Sequence, residues 1–322
     1  MGSPSSRRIR PPALRPGDGV GIVAPASWFD RAQFELGCET LRRLGYEPIF
    51  NHTIFEHDLY FAGSVERRVA ELEEMFVREE VRAILCARGG YGTNHLLPAL
   101  DIERILAHPK IFMGYSDVTS LLTWFCDHGL IVFHGPMVAK DFAAGESGFN
   151  AASWDAAVSG SGIWRVNSEG AEGLAEGSGE GILYGGCLSM LAASLGTPYE
   201  IRSEGKLLFI EDVAAKPYQV DRMLMQLKLA GKFEGVQGVI FGEMLDCVQH
   251  PQPPYTLQQI VKRVLADLEV PIAYGVRSGH VSGGNLTLPL GVNAKLQVGD
   301  TVTLTIAEAA VKAAPQAEAR RV

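Results

Sequence analysis

The chain has 322 residues, of which 47% are hydrophobic and 20% charged, values that suit a globular protein of two domains and exclude a disordered or fibrous one. Its formal net charge of -8 leaves no broad basic surface to neutralise phosphates, so nucleic acid is not an expected partner. Five scattered cysteines without a C-x-x-C pair exclude a zinc-finger or dithiol-exchange framework and read as reduced thiols.

Residues 1–6 read as a flexible leader. Arg7, Arg8 and Arg10 then meet Pro11, Pro12 and Asp18 where a signal peptide would need an apolar run, which predicts a cytoplasmic protein. No segment approaches the ~18 uninterrupted apolar residues of a membrane span, so no membrane is expected. Short apolar runs at 19–24, 47–50, 82–87, 111–115 and 130–133 alternate with amphipathic stretches such as 31–44 and 65–77. That alternation predicts a doubly wound α/β domain with a mostly parallel sheet over 13–140.

From 141 to 180 the composition turns to Gly, Ser, Ala and Glu, apart from Trp154 and Trp164, and this reads as a connecting segment. A smaller α/β domain, rich in β structure, is expected over 181–309. It begins with the Gly-flanked apolar run 181–186, continues through strands at 206–210 and 238–241 and helices at 220–230 and 257–268, and closes with a glycine-punctuated β region over 272–306. Residues 310–322 read as a frayed tail.

Four constellations can carry chemistry. Ser116, in Gly114-Tyr115-Ser116-Asp117-Val118, stands where a strand runs into a helix. There a serine is either a nucleophile exposed beside helix N-terminal amides or merely the helix cap. The run Arg88-Gly89-Gly90-Tyr91-Gly92 follows a strand and is either a binding loop with free N–H groups or a tight turn. Glu211 and Asp212 end an apolar strand, where a carboxylate orients an imidazole or simply closes a solvated turn. His280, in a Gly- and Ser-rich loop, suits a general base, although loop histidines are often idle. The other histidines form no metal-ligand spacing, so neither a metal nor another cofactor is indicated.

Taken in order, these pieces resemble the LD-carboxypeptidase family, the serine peptidases that include murein tetrapeptide carboxypeptidases and microcin-immunity peptidases. The resemblance also runs through Leu14-Arg15-Pro16-Gly17-Asp18, His134-Gly135-Pro136, Gly185-Gly186-Cys187, Gly196-Thr197-Pro198 and Tyr218-x-x-Asp221-Arg222. It implies a triad of Ser116 as nucleophile, Glu211 as orienting carboxylate and His280 as base and acid. The implied oxyanion hole comprises the N–H groups of Asp117 and Gly90, and a homodimer is suggested. Arg88, Gly89 and Tyr91 are candidates for binding substrate. One position departs from the family pattern: Cys187 stands where Asn is common, and a thiol cannot make the paired hydrogen bonds of an amide.

The expected activity is release of the terminal D-alanine from a small muropeptide, a murein tetrapeptide, through an acyl-enzyme. Two alternatives accompany it. One is a microcin-immunity-like peptidase acting on aminoacyl-nucleotide amides, with Trp154 or Trp164 stacking on the base. The other is a non-enzymatic muropeptide-binding protein in which Ser116 only caps its helix.

Overall fold

The computed structural model of the chain describes residues 8–167, 169–251 and 253–313. The expected leader 1–6 lies outside these residues, as does 314–322 of the expected tail. Residues 310–313 are not frayed: Ala310 and Val311 are buried, and Lys312 donates to the Pro11 carbonyl while its own carbonyl accepts from Ala13. Ala310 and Val311 thus pack where residues 11–13 pair with Lys312.

The first half builds a sheet from β1 (Gly19–Val23), β2 (Glu47–Ile49), β3 (Val81–Cys86), β4 (Ile111–Gly114) and β5 (Val132–His134). These strands are all parallel and ordered β5-β4-β3-β1-β2. Their apolar runs are continuous rather than alternating because helices cover the sheet. Those helices are α1 (Arg31–Arg43), α2 (Val65–Val77), α3 (Ile102–Ala107) and α4 (Thr119–Asp127). Asp30 and Ser64 fix the starts of α1 and α2 by accepting from the N–H groups of Gln33 and Arg67, which satisfies donors a helix leaves open.

The segment 141–180 is more than a strap. It holds α5 (Ala151–Val158), β6 (Trp164–Val166), β7 (Glu172–Ala175) and the start of β8 (Gly177–Cys187). There follow α6 (Leu188–Ala193), β9 (Lys206–Glu211), α7 (Pro217–Leu229), β10 (Gly238–Phe241), α8 (Leu257–Val264), β11 (Ile272–Tyr274), β12 (Leu288–Leu290), β13 (Asn293–Val298) and β14 (Val302–Ile306). The second sheet runs β6-β14-β13-β8-β9-β10-β11-β7. It has a parallel centre, β8 to β11, with antiparallel strands at either side. β12 belongs to neither neighbour in sequence: it crosses back and pairs antiparallel with β5, Leu288 opposite His134.

The carboxyl ends of β3, β4 and β5 therefore face a junction shared with the carboxyl ends of β8, β9 and β11. In open α/β sheets this is where ligands bind. Buried polar contacts seal the junction: the Cys187 N–H donates to Thr119 Oγ1 at 3.0 Å, and Asn285 Nδ2 donates to Asp141 Oδ1 at 3.2 Å. Among the described residues no helix is long and apolar enough to cross a membrane.

Candidate active site

Ser116 follows β4 on a turn with φ of +64°, a left-handed conformation that costs a non-glycine residue about 1–3 kcal/mol. It does not cap α4. That helix starts at Thr119, its N-cap is Val118, and no side chain bonds its first N–H groups. Ser116 is half-buried, and its hydroxyl makes no hydrogen bond among the described residues. The turn is held instead by its neighbours. Thr93 donates its N–H to Asp117 Oδ2 at 2.8 Å and its hydroxyl to the Asp117 carbonyl at 2.6 Å.

Those bonds tie the Ser116 turn to the glycine-rich loop. Gly89 is pressed against the serine so closely that a Cβ there would lie 2.7 Å from Ser116 Cβ and 3.0 Å from Oγ. Gly90 and Gly92 take φ of +104° and +133°, which a side chain would oppose. The N–H of Gly90 makes no hydrogen bond among the described residues. Arg68, wholly buried on α2, clamps the loop by donating Nη1 to the carbonyls of Pro25 at 2.8 Å and Gly92 at 3.0 Å. Arg88 is exposed and donates to the Trp28 carbonyl at 2.9 Å. The ring of Tyr91 is also exposed, 5.9 Å from that of Tyr60.

Across the junction, Glu211 ends β9 with no solvent exposure. Its Oε2 accepts from His280 twice, from Nδ1 at 2.7 Å and from the backbone N–H at 3.0 Å. Gly279 permits this closeness, since a Cβ on it would lie 2.7 Å from Glu211 Cδ. Burial by itself would raise the Glu211 carboxyl, but His280 and then His134 hold it well below the usual carboxylate range. The His280 ring stands edge-on to Tyr115, the residue before Ser116, with centroids 5.1 Å apart. No hydrogen bond joins Ser116 to His280 among the described residues. The structure thus brings Glu211 and His280 into direct contact and sets the Ser116 turn beside them.

His134, Ser278 and Arg68 have no role assigned from the sequence. His134, at the end of β5, points Nε2 at Glu211 Oε1 across 3.7 Å, while its Nδ1 lies 2.9 Å from Ser278 Oγ. Ser278 Oγ also lies 2.9 Å from the Leu286 carbonyl. A carbonyl only accepts, so the serine donates there. The motif His134-Gly135-Pro136 was the available signal. Arg68 carried none, being one charge among several on an amphipathic helix. Cys187 also joins the cluster: one donor atom each from Cys187, Glu211 and His280 lie within 4.8 Å of one another. Burial, then the Glu211 and Asp212 carboxylates, push its thiol well up, so it stands protonated and is no ready nucleophile.

Neither tryptophan proposed for base stacking faces this site. Trp154 is core, packed edge-on to Phe142 and Tyr46. Trp164 lies on β6, the outermost strand beyond β14.

Residues 20–135 match the LD-carboxypeptidase N-terminal domain, and residues 180–296 match the LD-carboxypeptidase C-terminal domain. A probable murein peptide carboxypeptidase of Bacillus subtilis is 35% identical over 314 residues, which cover 95% of this chain and 98% of that protein. Among solved structures, a muramoyltetrapeptide carboxypeptidase from Oxalobacter formigenes superposes with a TM-score of 0.80 at 28% identity, covering 90% of this chain and 99% of that one. A structure of MccF in complex with glutamyl sulfamoyl guanosine superposes with a TM-score of 0.84 at 26% identity, covering 94% and 99%.

Proposed function

Because this chain belongs to the LD-carboxypeptidase family and is a serine carboxypeptidase, we propose that it releases the terminal D-alanine from murein tetrapeptides in cytoplasmic peptidoglycan recycling. Ser116 attacks the carbonyl of the diamino acid, and His280 takes its proton. His280 then returns that proton to the departing D-alanine amine, and water releases the acyl-enzyme through the same base. Glu211 orients His280 and offsets the imidazolium charge that forms. The N–H groups of Asp117 and Gly90 receive the oxyanion. Arg88 meets the terminal carboxylate, with Gly89 and Tyr91 lining its approach.

The observation that carries this reading is the double hydrogen bond from His280 to Glu211 Oε2, placed beside a serine held in a strained turn with its hydroxyl uncommitted. Serine and base draw together when substrate fills the site, as catalytic hydrogen bonds commonly tighten only in the complex. The test is incubation with a disaccharide tetrapeptide followed by mass measurement. Loss of one alanine with the native protein and none with Ser116→Ala is expected; equal loss with both sinks the proposal.

The likeness to MccF bound to glutamyl sulfamoyl guanosine supports one second reading, cleavage of an aminoacyl-nucleotide amide by the same residues. The base would then stack on Tyr60 or Tyr91, the exposed rings beside the glycine loop, since Trp154 and Trp164 lie elsewhere. Competition between a tetrapeptide and an acyl-sulfamoyl nucleoside for the purified protein separates the two. A purely binding role is not retained for a serine carboxypeptidase.

A further inference from the structure

The hydrolysis proposed above has no use for Cys187, yet the fold delivers it to the same spot as Glu211 and His280. Cys187 ends β8 where Glu211 ends β9, and the two are register partners on adjacent parallel strands. Paired positions of neighbouring strands present their side chains on one face, with backbones about 4.8 Å apart. His280 enters from the loop after β11, so three separate segments of backbone fix the three donors. All three residues are buried, and Glu211 Oε1 accepts no hydrogen bond among the described residues.

We propose that Cys187, Glu211 and His280 form a binding site for a thiophilic divalent cation, Zn²⁺ foremost, whose occupancy withdraws His280 and Glu211 from catalysis. A thiolate, an imidazole and a carboxylate are the donor set that borderline-soft Zn²⁺ takes, with a fourth tetrahedral position left for water. Mg²⁺ and Ca²⁺ prefer all-oxygen sets and do not compete. Zinc bonds of about 2.0–2.3 Å place tetrahedral donors roughly 3.3–3.7 Å apart. The three donors, all within 4.8 Å of one another, close to that spacing by about 1.1–1.5 Å of movement shared among the side chains. Binding forms Zn–S, Zn–N and Zn–O bonds and releases the thiol proton to solvent, together with the imidazole proton if the nitrogen taken carries it. No oxidation state changes. Cation binding stands apart from the proposed activity; only its inhibitory consequence rests on that reading.

The probe is Co²⁺ as a spectroscopic substitute for Zn²⁺, titrated into the full chain kept reduced. One equivalent should produce a near-ultraviolet thiolate-to-cobalt charge-transfer band with tetrahedral ligand-field bands, displaced by Zn²⁺ and not by Mg²⁺. Cys187→Ser and Cys187→Asn should each abolish the charge-transfer band. Each should also weaken Zn²⁺ binding by at least about 100-fold, beyond the 10–100-fold typical of changes outside the ligand shell. Ser116→Ala keeps all three donors and should give the native band. In the activity arm, Zn²⁺ should inhibit tetrapeptide cleavage by the native protein at the concentrations that displace Co²⁺. No charge-transfer band in the native chain, or an equal band in both Cys187 variants, overturns the cation site. Full activity with the site zinc-loaded overturns the inhibition. If the tetrapeptide is not cleaved but the band appears and depends on Cys187, the proposed function fails and the cation site stands.

Discussion

His134 Nε2 lies 3.7 Å from Glu211 Oε1, with both side chains entirely removed from solvent. One comes from the first sheet and the other from the second, so a buried carboxylate is flanked by an imidazole from each half of the molecule. An ionised carboxyl in such a place is costly unless compensated. His280 is the larger source of compensation and His134 adds to it.

Replacing His134 by Gln should therefore impair function without contact with substrate. A drop in kcat/KM of about 10–100-fold is expected, short of the ~10⁴-fold that follows when a triad carboxylate is altered. Steady-state kinetics on a variant with a native circular dichroism spectrum checks it. An unchanged kcat/KM would make His134 a bystander.

Gly89→Ala should act directly on Ser116, the proposed nucleophile. The new Cβ would overlap Ser116 Cβ at 2.7 Å, and neither atom is the free end of a flexible chain. Displacing a reacting group by about 1 Å can cost 10²-fold in rate. A loss of that size is expected in kcat/KM, with thermal stability changed far less; a fully active variant would show that the serine has room to move.

Arg68→Met should loosen the glycine-rich loop. The change removes the two hydrogen bonds to the Pro25 and Gly92 carbonyls and the stacking of the guanidinium on Phe61 at 4.7 Å. Each orphaned buried carbonyl costs about 1–3 kcal/mol, so urea denaturation should show destabilisation of about 3 kcal/mol. Proteolytic cleavage within 88–92 should become easier, and resistance equal to the native protein would contradict the clamp.

Glu71 gives a pH dependence with a definite sign. Burial raises its carboxyl from 4.5 to about 7, against the opposing pull of Arg67 at 2.9 Å. Between those values the folded protein holds a proton that the unfolded chain has released. The contribution is thus full below about pH 4.5 and is lost as pH rises through about 7, by roughly 3 kcal/mol at most. Glu71→Gln cannot ionise, so its stability relative to the native protein should improve from pH 5 to pH 8. Parallel denaturation curves at the two pH values check this; a constant difference would refute it.

The first half was largely legible because its elements are local: α2 spans 65–77 and the parallel strands fall within a residue or two of their apolar runs. The strand 238–241 was equally plain. β6 and β7 were not, because Trp164-Arg165-Val166 and Glu172-Gly173-Leu174-Ala175 are too short to carry an apolar pattern, and their places at the two ends of the second sheet depend on partners far along the chain. β12 falls inside the expected β region 272–306, but nothing local assigns it to the first sheet beside His134.

By itself the sequence determined the α/β class, the family and the residues with chemistry to offer, since these reside in periodicity and in short motifs whose order along the chain is specific. Local chemistry left Ser116 between cap and nucleophile, because both roles ask for the same residue at the same junction, and only the family resemblance favoured the nucleophile. Only the tertiary structure removed the cap from that choice, starting α4 three residues later and leaving the hydroxyl uncommitted. It alone also gathered His134, Cys187, Glu211 and His280 at one point. Their meeting depends on strand register and on a crossing connection, quantities set by long-range packing that no local spacing encodes.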